Sequence, residues 1–155
     1  MSDYEEILKR VFKKFDVEKS GFLKRSQFEK FICELEKTSG EFNVTSKDIN
    51  IMFDFLDKDM DNKLSKYEFG LWLVRQDKYS FFDEHRKNLL IKAHNLFSSY
   101  ASTVKGESKG LRYSQFEDMM EDLNIKHEDD DFDNLDIDNN GLISFSEFCK
   151  WLKWF

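Results

Sequence analysis

The chain contains no proline, two cysteines and six glycines. Without proline, no ring breaks a helix or removes a backbone donor, so turns must be made by glycine, asparagine and aspartate. Cys33 and Cys149 stand far apart in apolar-periodic segments, and the expectation is two reduced core thiols rather than a bridge. Long hydrophobic runs are missing too. Leu71-Trp72-Leu73-Val74 is far shorter than the roughly 20 residues of a membrane-spanning helix. The opening Met1-Ser2-Asp3-Tyr4-Glu5-Glu6 lacks the basic-then-apolar order of a secretion leader, and Ser2 stands where myristoylation needs glycine. A monomeric cytoplasmic protein without a transmembrane segment is therefore expected. Positive charge is in short supply, with 24 Lys and Arg against 31 Asp and Glu for a net charge of −7. This argues against a nucleic-acid partner, whose phosphates require neutralising cations, and favours cations and basic partners. His85, His94 and His127 have no cysteine or histidine neighbours at zinc spacing, so they are assigned to the surface or to packing. No nucleophile, base or acid converges on another, and no enzyme is expected.

What the chain does have is helical periodicity. Its hydrophobic fraction of 40% over 155 residues can supply a core for one domain or two small lobes. Residues 3–15 place Ile7, Leu8, Val11, Phe12 and Phe15 on one helix face, and residues 25–37 do the same with Phe28, Phe31, Ile32 and Leu35. Thr45-Ser46-Lys47-Asp48 carries the signature of a capped helix start, with the helix running on to Leu56. Further helices are predicted over 66–75, 81–100, 129–135 and 145–155, with a boundary in the polar stretch Gln76-Asp77-Lys78-Tyr79-Ser80.

Between these helices lies a recurring oxygen pattern. In Asp136-Ile137-Asp138-Asn139-Asn140-Gly141-Leu142-Ile143-Ser144-Phe145-Ser146-Glu147, side-chain oxygens stand at positions 1, 3 and 5, and a glycine at position 6 allows a sharp bend. Such an arrangement suits a hard cation, which takes oxygen ligands. A second stretch, Asp57-Lys58-Asp59-Met60-Asp61-Asn62-Lys63-Leu64-Ser65-Lys66-Tyr67-Glu68, repeats the pattern with Asn62 in place of glycine, the side chain that best tolerates left-handed backbone after glycine. A third, Asp16-Val17-Glu18-Lys19-Ser20-Gly21-Phe22-Leu23-Lys24-Arg25-Ser26-Gln27, keeps the frame but has Lys24 at position 9 and neutral Gln27 at position 12. A fourth region, about 101–115, is glycine-punctuated and carries an insertion. Its one acidic residue is Glu107, and Tyr113-Ser114-Gln115-Phe116-Glu117 echoes Arg25-Ser26-Gln27-Phe28-Glu29.

These stretches resemble the calcium loop of the EF-hand family, and the repeat resembles that family over nearly the whole chain. The resemblance implies an all-α fold of four helix-loop-helix units paired into two lobes, calmodulin-like. An N-terminal pair would span 1–76, a linker 77–82 and a C-terminal pair 83–155. It also implies short antiparallel bridges between paired loops around Leu23, Leu64, Leu111 and Ile143. Loops 16–27 and 101–115 are expected to be degenerate. Two Ca2+ ions are expected, one held by Asp57, Asp59, Asp61, Lys63, Ser65 and Glu68, the other by Asp136, Asp138, Asn140, Leu142, Ser144 and Glu147. Lys63 and Leu142 would contribute backbone carbonyls, and Mg2+ is a competitor. Loop 136–147 is expected to bind more tightly, because it has glycine at position 6, no lysine, and an acidic approach in Glu128, Asp129, Asp130, Asp131 and Asp133. That acidic run is itself taken as a solvated helix start. Phe148, Trp151, Leu152 and Phe155 form a stripe assigned to the core rather than to a partner surface, with Trp154 off it.

A calcium sensor that opens to grip a basic amphipathic target helix is the favoured role. A buffer is the alternative, because the chain is poor in methionine (five) and rich in phenylalanine (17). A subunit resembling a myosin light chain is the third.

Overall fold

A computed structural model describes residues 3–39, 44–74, 83–106, 108–126, 128, 131–136 and 139–152. The linker expected at 77–82 lies outside them, as do Glu107, His127, Asp129, Asp130, Asp138, Trp154 and Phe155. The described residues form helices α1 (Asp3–Phe15), α2 (Arg25–Ser39), α3 (Ser46–Leu56), α4 (Lys66–Leu73), α5 (Glu84–Tyr100), α6 (Tyr113–Asp122), α7 (Asp131–Leu135) and α8 (Phe145–Leu152). Four short strands accompany them: β1 (Phe22–Leu23), β2 (Leu64–Ser65), β3 (Ser102–Lys105) and β4 (Ser108–Gly110). Among the described residues, no helix is long and apolar enough to cross a membrane.

Local chemistry explains several boundaries. The Thr45 hydroxyl accepts the Asp48 N–H at 3.1 Å while an Asp48 oxygen accepts the Thr45 N–H at 3.0 Å, so two orphan donors are satisfied at the start of α3. Asp83 caps α5 by accepting the Arg86 N–H.

The predicted bridges are present. Strands β1 and β2 pair antiparallel with Leu23 opposite Leu64, and Leu111 and Ile143 form an isolated antiparallel bridge through N···O distances of 2.9 and 2.8 Å. All four of these side chains are fully buried, so each bridge also fastens its loops to the core. Strands β3 and β4, by contrast, form a hairpin inside the third loop. The insertion is this hairpin.

Two expectations need correction. Cys33 is exposed, because it sits one residue beyond the Phe28, Phe31, Ile32 and Leu35 stripe of α2 and turns toward solvent. Cys149 is free and buried as expected, and burial pushes its thiol well above the ordinary range. Ile7 is also 46% exposed, while Val11 and Phe12 of the same helix are buried.

The two halves share a core. Phe12, Phe28, Phe53, Phe69 and Trp72 pack edge-to-face or tilted in the first half, and Phe97, Phe116, Phe145, Phe148 and Trp151 do so in the second. Helix α3 packs against both α5 and α8, and Phe55 meets Phe145 across the join with ring centroids 6.4 Å apart. Phe148 is buried and Trp151 half-buried, as the stripe assignment requires.

Candidate metal centre

Three loops repeat one backbone conformation. Position 4 has positive φ in each, at Lys19 (53°), Met60 (57°) and Asn139 (56°), and so does position 6, at Gly21 (84°), Asn62 (66°) and Gly141 (80°). Asn62 therefore adopts the left-handed turn that glycine makes in the other two loops.

The first residue of each loop then anchors that turn. Asp57 accepts the Asp61 and Asn62 N–H groups at 3.3 and 3.0 Å. Asp136 accepts those of Asn140 and Gly141 at 3.2 and 2.7 Å. Asp16 accepts those of Ser20 and Gly21 at 3.0 and 2.8 Å. Position 12 closes each loop in a shared manner. Glu68 accepts the Ser65 N–H at 2.9 Å, Glu147 the Ser144 N–H at 2.9 Å, and Gln27 the Lys24 N–H at 2.8 Å. In the two glutamate loops the position-9 serine returns the bond to the glutamate N–H, at 3.1 and 3.2 Å.

The loops part company in charge. In loop 57–68, one carboxylate oxygen from each of Asp57, Asp59, Asp61 and Glu68 lies within 4.8 Å of the others. A calcium ion ligated at about 2.3–2.6 Å places opposite ligands about 4.6–5.2 Å apart, so this spacing fits around one such ion. Burial is the main force that raises Asp57 to about 8, with Asp59, Glu68 and Asp61 adding to it against the downward pull of the Ser108 hydroxyl. Burial likewise leads in raising Glu68 to about 7, helped by the Asp59 and Asp61 charges and opposed by two backbone N–H bonds. Asp61 is raised as well, by burial and by Asp59. Four acids crowded in this way favour protons or a cation, and the donor set is all hard oxygen. The residues fit calcium.

Loop 136–147 keeps the same anchors, with Asp136 buried and Glu147 half-buried. Asn140 is exposed and accepts the Leu142 N–H at 3.0 Å. Asp138 lies outside the described residues, so the complete oxygen set of this loop is not placed.

Loop 16–27 has answered its own charge. The Lys24 ammonium lies 2.8 Å from Glu18, joining position 9 to position 3 across the loop. For Asp16, burial raises the pKa but is outweighed by the Gly21 and Ser20 backbone bonds and the Ser20 hydroxyl, so the net shift is downward. In the third loop, Gln115 copies Gln27 by accepting the Arg112 N–H at 2.9 Å, and its amide donates to Ser102.

Several residues around the centre have no counterpart in the oxygen pattern. Arg25 donates to Asn62 at 2.7 Å and pairs with Asp54, whose other oxygen is 2.7 Å from His94. Ser108 donates to Asp57 at 2.7 Å. An aspartate in the otherwise apolar run Ile51-Met52-Phe53-Asp54-Phe55-Leu56 is a sequence signal for a buried partner. Ser108 gives no such signal.

Residues 49–74 and 130–150 match the EF hand family. No curated protein matches the chain. The matched stretches take in the two loops that keep glutamate at position 12, each with helical residues on both sides. The two matched stretches are thus similar to EF-hand units, and the first of them carries the carboxylate ring.

Proposed function

We propose that the protein binds two Ca2+ ions. One is held by Asp57, Asp59, Asp61, the Lys63 carbonyl, Ser65 and Glu68, and the other by Asp136, Asp138, Asn140, the Leu142 carbonyl, Ser144 and Glu147. The observation that carries this reading is the ring of four carboxylates within 4.8 Å in a loop that matches the family. The second site is supported by the second matched stretch and by the anchoring bonds of Asp136 and Glu147, which parallel those of Asp57 and Glu68.

A sensor must uncover an apolar groove when it binds ions. Here the core that would be uncovered is common to both halves, and Met52, Met60, Met119 and Met120 are all buried within 5% exposure. Opening either pair of units would part the α3 packing on α5 and α8. This observation favours ion binding with little opening, the behaviour of a buffer, over the calmodulin-like sensor suggested by the sequence.

The test is the fluorescence of an apolar-surface dye during a calcium titration, with magnesium present and bound ions counted in parallel. Two ions bound with an unchanged dye signal is the expected result. A rise saturating at two ions would make the protein a sensor and direct the search to a basic amphipathic target helix, and no bound ion would overturn both roles.

A further inference from the structure

The third loop lacks an EF-hand ligand set, yet its hairpin lies against the second loop. Ser108, on β4, is 2% exposed, and its hydroxyl donates to Oδ2 of Asp57 at 2.7 Å. The fit around that bond is close. A Cβ on Gly106 would collide with the Asn62 side-chain amide, and a Cβ on Gly110 would stand 2.9 Å from Met60 Sδ and 3.3 Å from Leu142 Cδ2. The hairpin therefore touches loop 57–68 along its length and reaches loop 136–147 at its end. Arg25 fastens the same corner, donating to Asn62 at 2.7 Å and lying 3.5 Å from the Ser108 hydroxyl.

We propose that the β3–β4 hairpin is a positioning element of the calcium site in loop 57–68, acting through Ser108. The proposal rests on the calcium reading of that loop. Asp57 is the first ligand, and a carboxylate that must rotate into place loses freedom when the ion binds. Two N–H groups of its own loop and one hydroxyl from the other half hold it in one orientation beforehand. Donors of this kind behind a metal ligand commonly contribute one to two orders of magnitude in affinity. The corresponding aspartates are served from within their own loops: Asp16 by Ser20 and Gly21, and Asp136 by Asn140 and Gly141. Loop 57–68 thus gains a donor from the half of the chain that carries the other calcium loop.

The experiment uses the full chain carrying Glu147→Gln, which leaves loop 57–68 as the remaining site. Calcium affinity is measured by calorimetry, and urea unfolding is followed in chelator. Adding Ser108→Ala should raise Kd roughly tenfold, while Ser108→Thr, which keeps the hydroxyl, should restore most of the affinity. Thr103→Ala, exposed on the same hairpin, should leave Kd unchanged. A role confined to folding would instead lower the urea midpoint without a selective change in Kd. Should the alanine chain fail to fold, Ser108→Cys replaces it, because a thiol of similar size is a weak donor and should weaken binding likewise. An unchanged Kd in the Ala chain, or in the Cys chain used in its place, overturns the positioning role. A parent Glu147→Gln chain that binds no calcium overturns the calcium reading of the loop, and the positioning role with it.

Discussion

Asp57 and Glu68 place opposite demands on the loop with and without an ion. Without one, burial and neighbouring acids raise them to about 8 and about 7, far above unfolded carboxyls near 4. The folded chain then binds more protons than the unfolded chain between about pH 4 and pH 8, and unfolding free energy falls as pH rises through that window. Urea midpoints in chelator are expected to be lower at about pH 8 than at about pH 5.5. Saturating calcium should remove most of this difference, because the ion displaces the protons and supplies the missing positive charge. A chelator midpoint that climbs with pH across the window would contradict the crowding of these acids.

At the scale of elements, loop 16–27 shows that the turn and the cage are separable. Its backbone repeats the φ values and Asp16 anchors of the other loops, yet Lys24 and Glu18 satisfy each other across it. Gln27→Glu alone is therefore expected to leave the number of bound calcium ions unchanged, since the Lys24 ammonium still competes for the space. A third ion in calorimetry would refute this.

Most of the helices and the position-6 turns at Gly21, Asn62 and Gly141 were legible in the sequence, because the 3.6-residue stripes, the Thr45 cap and residues that favour positive φ are local signals, whereas α6 and the positive φ of Lys19 and Met60 were not. The β3–β4 hairpin was not. Ser102-Thr103-Val104-Lys105 and Ser108-Lys109-Gly110 have no apolar alternation to announce a strand. Their pairing is completed by contacts with Asp57, Asn62 and Met60, more than forty residues away. The exposure of Cys33 was missed for a smaller reason, since an apolar segment does not say which of its members lies one step off the buried stripe.

For the whole molecule, a periodic pattern tells which face of a helix is buried but not against what. Phe55 and Phe145 each fit the face of their own unit, yet they meet each other across the halves. Lys58 reaches Ser146 across the same boundary at 3.4 Å, and Lys87 of α5 lies 3.8 Å from Asp48 of α3. The chain is therefore expected to unfold in one transition, seen at the same urea concentration by Trp72 in the first half and Trp151 in the second. Phe55→Ala, which removes a ring 7% exposed at the join, should cost about 3–5 kcal/mol and separate the two signals. Two distinct transitions in the unmodified chain would mean the shared core does not couple the halves.

The central claim is that two of the four loops carry ions. Calorimetric titration of the unmodified chain with calcium, in the presence of magnesium, tests it most directly when repeated on Glu68→Gln and Glu147→Gln. The account predicts two ions for the unmodified chain and one for each variant, with the tighter phase lost in Glu147→Gln because that loop has glycine at position 6 and no lysine. Two ions retained in either variant, or none in the unmodified chain, would contradict it.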